Sequence, residues 1–221
     1  VRSCTYTVMG DVSQNIRMDY GISDWEGVKN ILLTGERDNF CVLRKSYRNT
    51  VEIANFASDI LAHGEFPGYG AEPVIRHGEA VGIRQTAGKD LYREAAKICK
   101  GWQTDGFDTI AVICRDQKQA QETAELLQKE LPVMPWDPEK ASFEKGIMVF
   151  PVEYTKGLEF DAVLLLSPDR ESYPTDDGHA KLLYVAATRA LHRLEVLHTG
   201  NLTGLIADPI PKKNKKRVSG A

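Results

Sequence analysis

The chain reads as an α/β protein built on a doubly wound, mainly parallel sheet with helices on both faces. Three observations lead there. Strand-like and helix-like segments alternate along most of the sequence, the order in which crossover units succeed one another. The apolar runs "TIAVICR" and "DAVLLL" show no in–out alternation, which implies burial on both faces. With 221 residues, 42% of them hydrophobic, the chain can bury a core without disulfide or metal staples.

Each element has its own signal. "TYTVMGD" (5–11) predicts a first strand closing in a Gly-Asp turn, and "FCVLRKSY" (40–47) a second. "NTVEIANFASDILAH" (49–63) predicts a helix, with Asn49 as its cap and Glu52 at capping-box distance. Residues 65–82 are rich in Gly and Pro and read as an extended loop with short β pieces. The helix "DLYREAAKICKGWQ" comes next, then the strand "TIAVICR", then "DQKQAQETAELLQKEL", an amphipathic helix opened by Asp116. "VMPWDPEK" is a turn-rich connection. "GIMVFPVEY" and "DAVLLL" predict strands flanking "TKGLEF". "KLLYVAATRALHRLEVL" reads as a buried helix and a last strand, and "LTGLIAD" as a short helix. The end, "PKKNKKRVSGA", reads as a basic, disordered tail.

Composition narrows the function. The formal net charge is −3, so no global basic field announces nucleic acid, and any such contact must come from local patches. Cys4, Cys41, Cys99 and Cys114 form no CxxC pair and read as buried free thiols of a cytoplasmic protein. No apolar stretch reaches the length of a membrane span and no signal peptide opens the chain. The sequence starts at Val1 in a strand-like run, as if cut from a longer protein.

The residue that resists a structural explanation is Arg189. On a helix it shares a face with Leu182 and Val185, and no acidic neighbour three or four positions away can pair with it. Two readings remain: Arg189 snorkels to water or pairs with a distant carboxylate, or it faces, from a solvent-filled rim, an anion that this segment does not supply. In doubly wound sheets ligands sit outside the carboxyl ends of strands, so the residues just after each strand are the candidates. Gly10, Asp11 and Gln14 come after the first, Tyr47 and Arg48 after the second, and Thr155, Lys156, Gly157 and Glu159 lie after "IMVFPVEY". Such a set suits a polyphosphate nucleotide. Arginines spread charge over a terminal phosphate, an aromatic stacks on a base, and a carboxylate accepts from ribose hydroxyls. An amide positions a water, and Gly157 permits a tight turn.

The ordered set resembles a known family. "YTVMGDVSQNI", "VLRKSYRNTVEIANFA", "YTKGLEFDAVLLL" and "LLYVAATRALHRL" look like motifs III, IV, V and VI of the UvrD/Rep-like superfamily 1 helicases. They occur in the family order. The resemblance implies a RecA-like (P-loop NTPase-type) fold, with residues 1–38 as the end of a first RecA-like domain, 39–208 as the second, and 209–221 as the tail. It implies that Gln14 senses the γ-phosphate, that Tyr47 stacks near the adenine, and that Arg48 contacts the γ-phosphate. Glu159 would bind the ribose, and Arg189 would be the arginine finger. Thr155, Lys156 and Gly157 would form the loop linking the nucleotide to single-stranded DNA. Tyr20 and Trp25 are the candidates to stack on a DNA base. The implied activity is that of an ATP-dependent 3′→5′ helicase or translocase acting on single-stranded or partially duplex DNA.

Two departures refine this. "GIRQTAGKD" (82–90) has five residues between its glycines and Asp90 where a Ser/Thr should hold Mg²⁺, so no phosphate loop is present, and no Walker-B carboxylate pair appears. ATP and Mg²⁺ would then be held mainly by an N-terminal RecA-like domain in cis, and this chain alone is expected to be inactive. The interval between Arg48 and Lys156 leaves little room for a large inserted subdomain. That spacing is similar to the compact DNA helicase IV and HelD-type branch. It leaves two alternatives: an ATP-dependent remodeller of RNA polymerase, and a non-catalytic nucleotide-binding regulatory domain.

Overall fold

A computed structural model describes residues 7–11, 14–16, 25–33, 35, 38–43, 45–66, 72–73, 75–135 and 145–211. In chain order they form α1 (Glu26–Leu32), β1 (Lys45–Ser46), α2 (Val51–Ala62), β2 (Glu72–Pro73), β3 (Gly82–Gln85), α3 (Leu91–Thr104) and β4 (Thr109–Cys114). Then come α4 (Gln117–Leu127), β5 (Met134–Pro135), β6 (Gly146–Pro151), β7 (Phe160–Leu166), α5 (Asp177–Ala187), β8 (Ala190–His198) and α6 (Gly204–Ala207).

Six strands make one sheet in the order β3-β8-β7-β4-β6-β5, and every pairing is parallel. The expected doubly wound α/β fold is therefore present. Its cause is visible in single strands. On β4, Ile110, Val112 and Cys114 pack beneath α3 and α4, while Ala111 and Ile113 pack beneath α2, α5 and α6. Successive side chains point to opposite faces, and here both faces are apolar because both are covered.

Local signals set the helix starts. The Asp116 side chain accepts from the Gln119 amide at 2.9 Å to open α4, and Asp176 accepts from the His179 amide at 2.9 Å to open α5. At α2 the cap is Thr50, whose hydroxyl faces the Ile53 amide, and not Asn49 as expected. Glu52 makes no capping box either. Its carboxylate holds the Gly78 amide at 2.8 Å and the His77 ring at 2.9 Å.

Three expected strands are shorter than the sequence suggested or absent: "GIMVFPVEY" ends as a strand at Pro151, with Val152–Tyr154 a 3-10 turn. Among the described residues, 7–11 form no strand, and of 40–43 and 45–47 only Lys45–Ser46 pairs, with Glu72–Pro73. A strand exists only where a neighbour supplies the other half of the ladder. Among the described residues none does so for 7–11 or 40–43, and Val8, Met9 and Leu43 stay exposed. Of the thiols, Cys99 and Cys114 are buried as expected but Cys41 is exposed, and Cys4 lies outside the described residues. Burial pushes the Cys99 and Cys114 thiols up to about 12, which keeps both neutral. No described helix is long and apolar enough to cross a membrane.

Candidate functional site

Arg48, Glu159 and Arg189 come together at one rim of the sheet. Glu159 immediately precedes β7 and Arg189 immediately precedes β8, and in a parallel sheet those starts share one edge. The cluster thus sits at the amino ends of the strands, not at the carboxyl ends where the sequence rule pointed. The reason is topological. The connection from β6 to β7 and the helix α5 both run back along the sheet and deliver their last residues to the strand starts.

The β6–β7 connection passes through a 3-10 turn, Val152–Tyr154, and ends in a tight turn over 155–158. The Thr155 hydroxyl donates to the Val152 carbonyl at 2.7 Å, and the Leu158 amide donates to the Thr155 carbonyl at 3.0 Å. Gly157 has φ +86° in this turn, a conformation L side chains rarely adopt, so the backbone itself requires glycine. Thr155, expected in the loop toward DNA, is fully buried: its hydroxyl is used inside, and Lys156 and Gly157 are exposed. The turn then presents Glu159. Its carboxylate lies 2.6 Å from the Arg48 guanidinium, with the two side chains 41% and 36% exposed. Tyr47, next to Arg48, is 75% exposed.

Arg189 differs from expectation in two ways. Helix α5 ends at Ala187 with Thr188 as its C-cap, so Arg189 lies beyond the helix, and it is 0% exposed and does not point to solvent. Its side chain folds back. Nε donates to the Val185 carbonyl at 3.0 Å, Nη1 to the Leu158 carbonyl at 3.1 Å, and Nη2 to the Thr188 hydroxyl at 3.3 Å. The last carbonyls of a helix lack amide partners and carry its negative dipole end. A guanidinium with five donors answers both needs, which is why this charge tolerates burial without an acidic neighbour. Desolvation, and next the like charge of Arg48, lower the Arg189 pKa to about 10, with Glu159 opposing. Arg189 thus remains a cation at neutral pH.

The N-terminal segment borders the cluster. The Gln14 side-chain Nε2 donates to the Asp11 carboxylate at 2.8 Å, and the Asp11 charge is near enough to favour protonated Arg189 and to disfavour a Tyr184 phenolate. Ile16 packs on the core face beneath α2 and α5. Trp25 is half-buried at the start of α1, with its ring 6.1 Å from that of Phe40 and against Gly10. Tyr20 lies outside the described residues.

Sequence reasoning missed two residues here. The Asn49 side chain is buried and donates to the carbonyls of Thr188 and Ala190 at 3.1 and 2.5 Å. Arg76, from the Gly/Pro-rich loop, donates to the carbonyls of Arg48 at 2.5 Å and Leu191 at 2.9 Å. For Asn49 the only sequence signal was its adjacency to Arg48. Arg76 carried none.

The carboxyl edge of the sheet is also polar, but its groups are turned on one another. Arg115 lies just past β4; its Nε donates to the Ser172 carbonyl at 2.8 Å, its Nη2 lies 3.3 Å from His179 Nε2, and its guanidinium covers the Tyr173 ring. His179 Nδ1 sits 2.8 Å from the Asp176 carboxylate. No group of three or more His, Cys, Asp or Glu residues among the described ones is placed to hold a metal ion.

Comparison with known proteins agrees with the resemblance read from the sequence. Residues 146–197, from β6 through nearly all of β8, match the family model of the UvrD-like helicase C-terminal domain. In structure the chain is similar to the C-terminal domain of a possible DNA helicase from Lactobacillus plantarum WCFS1, with a TM-score of 0.61 and 24% identity over 73% of this chain and 92% of that one. No curated protein matches the chain.

Proposed function

We propose that this chain is the C-terminal RecA-like half of an ATP-dependent 3′→5′ DNA helicase or translocase. In this reading residues 39–208 are the second motor domain and 1–38 the end of the first. The observation that carries it is the convergence of Arg48, Glu159 and Arg189 on one rim, from three segments far apart in sequence, two of them within the stretch that matches a helicase domain.

Their arrangement suits a terminal phosphate presented by a facing domain. An exposed ion pair contributes about 0–1 kcal/mol, so Arg48 can leave Glu159 for a stronger anion at little cost. Glu159 is then free to accept from ribose hydroxyls. Arg189 sits behind this pair with its guanidinium held by carbonyls, so it is oriented before any ligand arrives. Preorganised positive charge of this kind stabilises the charge that develops during phosphoryl transfer. Tyr47 offers an exposed ring for the adenine, and Lys156 and Gly157 offer an exposed loop toward DNA. Mg²⁺, which neutralises phosphate charge, would be held outside this chain.

The test uses the full-length protein on partial duplexes carrying a single-stranded tail at either end. ATP-dependent unwinding only from the 3′ tail, abolished by Arg189→Lys, is the expected result. ATP turnover and unwinding that survive loss of Arg189 would reject the reading.

A further inference from the structure

We propose that Asn49 is a positioning residue that sets Arg48 and Arg189 in one fixed relation, so that both meet the same phosphate. The proposal rests on the function proposed above.

Asn49 is the residue directly after Arg48. The two carbonyls it holds, those of Thr188 and Ala190, are the ones directly before and after Arg189. Both partners are carbonyl oxygens, which only accept, so the amide nitrogen must be the atom that faces them. One planar amide therefore ties the backbone beside one arginine to the backbone on both sides of the other. The residue is 6% exposed, so water cannot take over these bonds without opening the core. Asn49 does not serve the local structure that its position suggests, because Thr50 caps α2.

The tie is reinforced. Arg76 bonds the carbonyl of Arg48 itself and that of Leu191, one residue past Ala190. The Val51 amide donates in turn to the Arg76 carbonyl at 3.0 Å. The Arg189 carbonyl accepts from the Phe160 amide at 2.9 Å, which anchors the same turn to the start of β7 beside Glu159. The entry to α2, the α5–β8 turn and the start of β7 thus form one hydrogen-bonded block. Arg48 and Arg189 carry like charges close enough to repel, a contribution to the lowered Arg189 pKa second to desolvation. Without such a block, that repulsion would drive the two guanidinium groups apart in the absence of a ligand. Misplacement of a charged group by about 1 Å is enough to cost roughly 100-fold in rate.

The test has two arms. In the full-length protein, steady-state ATPase is measured for Asn49→Ala, Asn49→Asp, Arg189→Lys and the Asn49→Ala/Arg189→Lys pair. Asn49→Ala is expected to lower kcat about 10- to 100-fold with KM for ATP within about threefold. Asn49→Asp, the same shape without the donor, should do at least as much. The double variant should be no slower than Arg189→Lys alone, because both changes remove the same placement. Losses that multiply, or a kcat within twofold of wild type in Asn49→Ala while the melting temperature falls, would overturn the proposal and leave Asn49 a purely structural residue. The second arm needs no ATP. Hydrogen exchange on the protein should speed up at least tenfold at the Arg189 and Phe160 amides in Asn49→Ala, and unchanged protection there overturns the latch itself. If exchange rises but Arg189→Lys leaves turnover unchanged, the latch stands and the function proposed for Arg189 is what fails.

Discussion

The two edges of the sheet spend similar chemistry in opposite ways. At the carboxyl edge, Arg115, His179, Asp176 and the Ser172 carbonyl form a chain in which each group is answered by the next. At the amino edge, Arg48 and Glu159 answer each other but stay more than a third exposed, and Tyr47 and Lys156 face solvent. The buried polar atoms there, on Arg189 and Asn49, are bonded almost wholly to backbone carbonyls. A backbone carbonyl fixes a cation's direction without neutralising its charge, whereas a carboxylate would cancel it. The carboxyl edge is therefore a closed network that stabilises the fold, and the amino edge keeps net positive character available to an anion. On the function proposed above, the general preference of parallel sheets for ligands at carboxyl ends gives way to where the charge remains available.

The largest test of this contrast is Arg189. Its replacement by Ala in the full-length protein should cut ATP turnover about 1,000-fold or more if it acts as a finger. Because its side chain also satisfies the carbonyls of Val185 and Leu158, the same change should cost about 1–3 kcal/mol of stability, seen as a lower melting temperature. Near-wild-type turnover would remove the distinction between the edges. Tyr47→Ala comes next: KM for ATP should rise about tenfold, in line with stacking energies of roughly 1–3 kcal/mol, with no change in melting temperature, since the ring is 75% exposed. Equal nucleotide affinity would reject the stacking role.

Arg115→Ala sharpens the comparison from the other side. It should lower stability by about 1–2 kcal/mol by leaving the Ser172 carbonyl without its donor, yet leave turnover within twofold. A large loss of turnover with a small loss of stability would move the working rim to the carboxyl edge. The smallest effect concerns pH. The His77 hydrogen bond, then that of the Gly78 amide, lowers the Glu52 pKa from 4.5 to about 2. A carboxylate whose folded pKa is depressed adds stability above its unfolded pKa and loses it as pH falls. Wild type should therefore lose stability between about pH 4.5 and 2 that Glu52→Gln does not, by thermal melting across that range. Parallel profiles would show that Glu52 does not hold the 75–79 loop against α2.

Much of this protein was legible in its sequence, because the signals involved are local. The unbroken apolar runs of β4 and β7 specified strands covered on both faces. Asp116 opens α4 as its sequence position indicated, because an acid there can accept from an amide of the first turn. The four motifs, in order, named Arg48, Glu159 and Arg189 as a set, and the family resemblance they carry agrees with the match over 146–197. What the sequence left open depended on partners distant along the chain. Whether 7–11 and 40–43 are strands depends on a neighbour that supplies a ladder. Whether Asn49 caps α2 or bridges to Thr188 and Ala190 depends on a turn nearly 140 residues away. Arg189 shows the division most directly. Its sequence context established that no nearby acid neutralises it. Only the tertiary structure decided that carbonyls of its own helix and of the β6–β7 turn hold it, buried and still charged, behind an exposed Arg48–Glu159 pair. The physical reason is that hydrogen-bond donors must be satisfied wherever the chain brings them, and that place is set by packing, not by spacing along the sequence.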